Sequence, residues 1–292
     1  MDIVITYVNG LDPLWQKEYA AHTNVKMLEK RFRDWGTLRY LFRGIEKNMP
    51  FIRKVHLVVA CESQVPEWVN RNEVNVVFHR DIIPAEYLPT FNCNPIETHL
   101  HFIKDLDEEF LYFNDDFFPI AECEPTDFFR SGKGVIKMSR HYFSLGMFRG
   151  ICKNSDSIAR KALNLPVTFT FLRPQHISSP MLKSECVQLY DLIKDELHDS
   201  LTHTREKKNV NQYVFLDYMY LKGLIIDEQI SKKHFSVGIL SIKKLCNFIL
   251  HPTRKLICVN DVRIMESRFY KIKQSMIHAF ETRFPEKSKY EL

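Results

Sequence analysis

Within about its first sixty residues the chain spells out strand, helix, strand, and that order leaves few folds open. Ile3 to Val8 is a short apolar run closed by Asn9-Gly10 and Asp12-Pro13, which predicts a buried strand delivering a polar turn at its carboxyl end. Leu38, Leu41, Phe42 and Ile45 fall at the i, i+3, i+4, i+7 spacing of a core-facing helix, with Pro50 just past its end. Val55 to Ala60 reads as the second strand. Two strands joined by a helix close as a right-handed crossover, and hence as part of a parallel sheet.

The alternation continues through Val74, Val76 and Phe78. Asn94-Pro95-Ile96-Glu97 then predicts a helix start, with Asn94 as cap, Pro95 in the first turn and Glu97 closing a capping box; its buried stripe would be Ile96, Leu100 and Ile103. Phe110 to Phe113 is an apolar strand ending in Asn114-Asp115-Asp116, which puts two adjacent carboxylates where open α/β sheets build their sites. Beyond about residue 130 the pattern turns mainly helical, with one stripe at Cys186, Leu189, Tyr190, Ile193 and Leu197 and another at Phe269, Ile272, Met276 and Phe280. No Pro/Gly/Ser-rich joint separates the parts. The expectation is one catalytic domain over 1–292: an α/β part over 1–130 with a mostly parallel, Rossmann-like sheet flanked by helices, and a largely helical part over 131–292 packed on it.

Composition excludes several classes. With 45% hydrophobic and 13% aromatic residues the chain buries a substantial core and is not disordered. The 41 basic and 36 acidic residues leave a formal charge of +5, which suits an anionic substrate. The cations are scattered in short groups such as Lys207-Lys208, Lys232-Lys233 and Lys243-Lys244, with no nucleic-acid motif, so nucleic acid is not an expected partner. Seven cysteines without CxxC spacing suggest neither a disulfide framework nor a zinc knuckle and fit a reducing compartment. The amino terminus lacks a secretory leader, and no run approaches the roughly 20 apolar residues that span a bilayer. A cytoplasmic protein is expected, at most in peripheral contact with the inner face of the membrane.

Four groups could carry chemistry. Asp115 and Asp116 could hold Mg²⁺ or Mn²⁺ through hard oxygen ligands, or be the solvated acids of a strand-end turn. On a helix Glu97 and His101 would share a face one turn apart and could meet a metal; otherwise Glu97 closes a cap and His101 lies on a solvated face. Arg31, Arg33, Arg39 and Arg43 surround the start of the second predicted element, and their guanidiniums could converge on phosphate or form a solvated face. His176, in an irregular segment before a helix, could accept a proton from a hydroxyl or be an ordinary loop histidine.

Four separated blocks together resemble the Stealth family. The first is Ile3-Val4-Ile5-Thr6-Tyr7-Val8-Asn9-Gly10-Leu11-Asp12-Pro13-Leu14-Trp15. The second runs from Arg31-Phe32-Arg33-Asp34 and Leu38-Arg39-Tyr40 to Ile96-Glu97-Thr98-His99-Leu100-His101 and Phe110-Leu111-Tyr112-Phe113-Asn114-Asp115-Asp116. The third covers His176 to Lys183 and Thr204-Arg205, and the fourth Cys258-Val259-Asn260-Asp261 and Phe284 to Ser288. Ser178 stands where the family usually has Pro, and Val262 where a further acid or small polar residue is common.

The resemblance implies a GT-A-like fold and transfer of hexose-1-phosphate, for instance the N-acetylhexosamine-1-phosphate of UDP-GlcNAc, from a UDP-sugar to a glycan or oligosaccharide hydroxyl. UMP would leave and a phosphodiester form, in capsule or exopolysaccharide synthesis. It also implies roles. His176, Glu97 and Arg205 would be catalytic; Asn9, Gly10, Asp12, Arg33, Asp34, Arg39, His101 and Asn114 would bind substrate; Asp115, Asp116, Asn260 and Asp261 would hold Mg²⁺ or Mn²⁺. The alternatives are a conventional metal-dependent glycosyltransferase releasing UDP and a catalytically inactive glycan-binding relative.

Overall fold

The computed structural model describes residues 1–24, 32–237, 239, 241–261 and 264–292, so Arg31 and Val262 lie outside the described residues. β1 (Asp2–Thr6) leads through α1 (Pro13–His22) and α2 (Leu38–Asn48) to β2 (Lys54–Val59), β3 (Val74–Phe78), the short α3 (His79–Ile82) and α4 (Cys93–Glu97), and β4 (Glu109–Asn114). Next come β5 (Phe117–Pro119), β6 (Phe129–Arg130), β7 (Lys133–Val135), β8 (Met138–His141), α5 (Met147–Ala162), β9 (Phe171–Pro174), β10 (Ser179–Leu182), α6 (Lys183–Ser200) and α7 (Tyr213–Leu221). β11 (Ile225–Ile226), β12 (Lys232–Ser236), α8 (Ile242–Leu250), β13 (Leu256–Asn260) and α9 (Glu266–Arg283) follow.

The largest sheet has the order β10-β4-β1-β2-β3 and is mostly parallel, with β10 antiparallel to β4 from Ser179↔Tyr112 to Leu182↔Glu109. Ile3 to Ile5, Leu57 to Val59 and Phe110 to Phe113 are all buried, as strands covered on both faces must be. Each fully buried aromatic here contributes on the order of 1.5–3 kcal/mol. The fold is α/β, as the alternation predicts. The stripes of α2, α6 and α9 are buried at the positions expected from their 3.6-residue period.

The stretch 131–292 carries the helices α5 to α9 and also holds β7 to β13, strands of two to five residues that are too short to register as alternation. One expectation is corrected. The helix expected from Asn94 starts at Cys93, where Asn92 caps it by accepting from the Asn94 amide at 3.2 Å, and ends after five residues at Glu97, with Leu100–Phe102 a separate 3₁₀ turn. Ile96, Leu100 and Ile103 therefore form no continuous helical face.

The chain folds into two compact units, each assembled from segments far apart in sequence. The first comprises Met1–Val4, Val77–Tyr112 and Pro125–Ile230; the second comprises Ile5–Val76, Phe113–Glu124 and Ser231–Leu292. In the first, α5 packs on α7, the sheet β11-β7-β6 pairs β11 parallel to β7, and β8 pairs antiparallel with β9. In the second, β12 and β13 run parallel, β5 lies antiparallel to β13, and α8 packs on α9. None of the seven cysteines is joined in a disulfide. Among the described residues no helix is long and apolar enough to cross a membrane.

Candidate active site

In the second unit the acids gather at strand ends. The pairing Cys258↔Phe117 and the 2.9 Å bond from the Val259 amide to the Asp116 carbonyl set Asp116 beside β13, which ends at Asn260 with Asp261 directly after it. Burial and then the Asp34 charge push the Asp115 carboxyl up to about 7. Burial and then Asp115 push Asp116 up to about 8, with Asp261 adding to the rise and a Cys258 thiol hydrogen bond opposing it. Asp116 Oδ1 is shut away from solvent with no hydrogen-bond partner. Asn114, at the end of β4, is half-buried.

Side chains from 7 to 35 frame this group. The Tyr7 hydroxyl bonds to Asp34, and its pKa is raised by burial first, then by Asp34 and Asp115. Trp35 Nε1 donates to Asp261 Oδ2 at 3.2 Å, and Arg33 Nη1 stands 3.7 Å from the same oxygen while its guanidinium lies over the Phe269 ring. Of α2's arginines, Arg39 lies 5.4 Å over the Trp68 ring, and Arg43 is buried in a two-pronged pair with Glu291 at 2.7 and 2.9 Å. The arginines of this stretch thus have separate partners; among those described, Arg33 is the one ion-paired to an acid of the cluster.

The turn after β1 is built by its own hydrogen bonds. Asp12 caps α1 by accepting from the Leu14 amide at 2.9 Å, and its other oxygen accepts from Ser63 at 2.6 Å and Gln64 at 2.7 Å. Burial alone would raise its pKa, but these donors bring it below the usual value. Both Asp12 oxygens thus help to shape the loop. A Cβ on Gly10 would stand 2.4 Å from the Phe32 carbonyl, so only glycine fits this close approach. Asn9 donates its amide to Gln64 Oε1 at 2.7 Å.

In the first unit, the Arg205 charge acts on Glu97. Arg205 Nη2 donates to Cys93 Sγ, and Tyr112 donates to Glu97 Oε1 at 3.3 Å. Burial raises the Glu97 pKa against the pull of Arg205, and burial pushes the Cys93 thiol up to about 12. Asn92 holds the arrangement together: its amide donates to Thr202 O at 3.1 Å and Asn209 Oδ1 at 3.0 Å, tying α4 to the loop that carries Arg205. His176 Nδ1 stands 3.4 Å from the hydroxyl of buried Tyr213, whose pKa burial raises well above its usual value, with Cys152 and Glu97 adding to the rise. Sequence reasoning gave no role to Tyr7, Cys93, Tyr213 or Cys258. Tyr7 and Cys258 stand inside motif blocks, which is the available signal, while Cys93 and Tyr213 carry no local one.

His101 is corrected from a substrate ligand or solvated residue to a core one. It is 2% exposed, its ring packs on Phe102, Tyr190 and Phe215, and neither nitrogen has a hydrogen-bond partner. Because α4 stops at Glu97, the turn-to-turn alignment with Glu97 is lost. Burial pushes His101 down to about 3 and His79 and His99 to about 4, from 6.5. The folded state therefore binds fewer protons than the unfolded one below pH 6.5. The stability from these neutral rings is complete above that pH and is lost as pH falls toward 4 and 3. His101→Phe should flatten the acid side of a stability–pH curve by up to about 1.4 kcal/mol per pH unit. Urea unfolding at pH 7 and pH 5 checks this, and equal slopes in variant and parent would count against it.

The acids of the second unit are coupled in a chain: Asp34 raises Asp115, and Asp115 and Asp261 raise Asp116, whose Oδ1 has no hydrogen-bond partner. Oxygen donors of this kind suit Mg²⁺ or Mn²⁺.

Residues 31–137 match the family described as Stealth protein CR2, conserved region 2. The chain is similar along its whole length to the capsular polysaccharide phosphotransferase WcwK of Streptococcus pneumoniae, at 28% identity over 99% of that protein. To the capsular polysaccharide phosphotransferase LcbA of Aeromonas hydrophila it is 32% identical, over 77% of this chain and 67% of that one. Among solved structures, the galactosyltransferase LgtC in complex with donor and acceptor sugar analogues resembles it at a TM-score of 0.39 and 11% identity, covering 94% of this chain and 96% of that one. With the motif blocks in order, the matched conserved region and these relatives, the chain belongs to the Stealth family.

Proposed function

We propose that this chain moves hexose-1-phosphate, an N-acetylhexosamine-1-phosphate in the first instance, from a UDP-sugar to a glycan hydroxyl in capsule or exopolysaccharide synthesis. Membership in a family of polysaccharide phosphotransferases supports the reaction class. Within the chain, the reading rests on the repelling carboxylates at the ends of β4 and β13, with Asp116 Oδ1 left unbonded.

The acceptor oxygen attacks the phosphorus that bears the sugar, and the bond from that phosphorus to the bridging oxygen breaks. UMP leaves, and sugar and acceptor stay joined through one phosphate. A divalent cation, when bound, offsets the charge gathering on the diphosphate. Asp115 and Asp116, with Asn260 and Asp261, would hold it. The Asn9-Gly10 turn, with Asp34 and Asn114, would receive the nucleotide, and Arg33 would balance Asp261. Arg205 would neutralise phosphate oxygens, positioned by Cys93 and Glu97. His176 would take the hydroxyl proton, with Tyr213 against Nδ1 holding the ring.

Incubating the chain with nucleotide-sugars, a glycan acceptor and Mg²⁺ or Mn²⁺ tests this. UMP and phosphorus in the new linkage are expected. Release of UDP, with no phosphorus in the product, would replace this reading with ordinary glycosyl transfer, and glycan binding without nucleotide release would make the chain an inactive relative.

A further inference from the structure

The first unit exposes an apolar ridge that the proposed reaction does not use. β8 and β9 pair antiparallel up to His141↔Phe171, so the segments that follow one and precede the other leave from the same end. Tyr142 and Phe169 touch there, with ring centroids 6.4 Å apart. Phe143 is 66% exposed, Leu145 78% and Phe169 76%, with Met147 and Val167 also open to solvent. Large apolar side chains grouped in this way mark an interaction surface.

The surrounding charge says what kind. Arg140, Arg149 and Lys153 are exposed beside the ridge, and the Lys207 side chain lies over Gly150, 3.0 Å from where a Cβ there would sit. Between residues 138 and 173 the sequence holds a single acid, Asp156, which is buried and bonded to Arg160 at 2.9 Å. The surface is therefore aromatic and aliphatic at its crest and cationic at its flanks.

We propose that this ridge docks the protein on an anionic phospholipid bilayer, with the apolar crest entering the headgroup layer and the cations meeting lipid phosphates. Aromatic side chains favour that layer, and clustered Lys and Arg are drawn to acidic lipid. A glycan would leave Leu145, Met147 and Val167 without a fitting partner. A second copy of the chain, in a two-fold pairing through this face, would bring like charges together.

The test is flotation of the full chain with vesicles of phosphatidylglycerol in phosphatidylcholine, against phosphatidylcholine alone. No substrate is present, so the outcome stands apart from the reaction proposed above. Binding to the anionic vesicles should exceed that to neutral ones by about tenfold and weaken at about 0.5 M salt. It should drop about tenfold in Phe143→Ser/Phe169→Ser, with Leu145→Ser as a second, milder variant should the first fold poorly. No binding to anionic vesicles, equal binding to both kinds, or binding that neither variant weakens would overturn the proposal. So would light scattering showing a dimer that these variants dissociate.

Discussion

Asp116→Asn is expected to lower turnover by about 10³-fold or more while leaving the melting temperature unchanged or higher. The two effects share one cause. Asp116 gains little inside the folded chain: its neighbours Asp115 and Asp261 repel it, one oxygen is unbonded, and its side-chain donor is the Cys258 thiol at 3.7 Å. A neutral amide of the same shape relieves the repulsion, so the fold loses nothing it relied on. In the proposed reaction, however, a cation on the donor diphosphate would need the charge that the substitution removes. Added Mn²⁺ should raise the melting temperature of the parent and leave the variant where it was, since only a state that binds the ion is stabilised by it. A variant that keeps the parent's rate, or gains as much from Mn²⁺, would take the metal away from Asp116.

Arg43→Ala should cost about 3–5 kcal/mol of stability. The guanidinium is 6% exposed and grips Glu291 with two nitrogens, while a third donates to the Phe284 carbonyl at 2.7 Å. Its removal leaves a carboxylate that is 2% exposed without its partner, and the cost of that stranded charge exceeds the worth of the contact itself. The double change Arg43→Met/Glu291→Leu removes both charges and should recover much of the loss. Denaturant midpoints for the single and double variants decide the matter: equal losses in both would mean that lost packing, and not the orphaned acid, sets the cost.

The main lines of the fold could be read because periodicity reports which face of an element is buried. Leu38, Leu41, Phe42 and Ile45 lie inward on α2, and the apolar runs at Ile3 and Phe110 are buried strands. Asp115 and Asp116 could be placed at a strand end for the same reason. Periodicity says nothing about which polar atoms meet across a core. Arg39 and Arg43 look alike in the sequence, yet one stacks on Trp68 and the other pairs with Glu291, 248 positions away. Asp12 stands before Pro13 at a helix start, where an N-cap is legible from the sequence. His101 was misplaced because a one-turn offset has meaning only while the helix continues, and α4 stops after five residues. Tyr213 and Cys93 gave no local sign, since each matters through partners supplied by distant segments.

One amide side chain has a lesson for redesign. Asn92 begins a helix with its oxygen and moors a distant loop with its nitrogen, and Asn209 extends the mooring to Ser200 and Thr202. The stretch carrying Arg205 is thus not an exchangeable cassette: a chimaera that imports it from a relative must import a matching residue at 92 as well, or inherit an arginine with no fixed bearing.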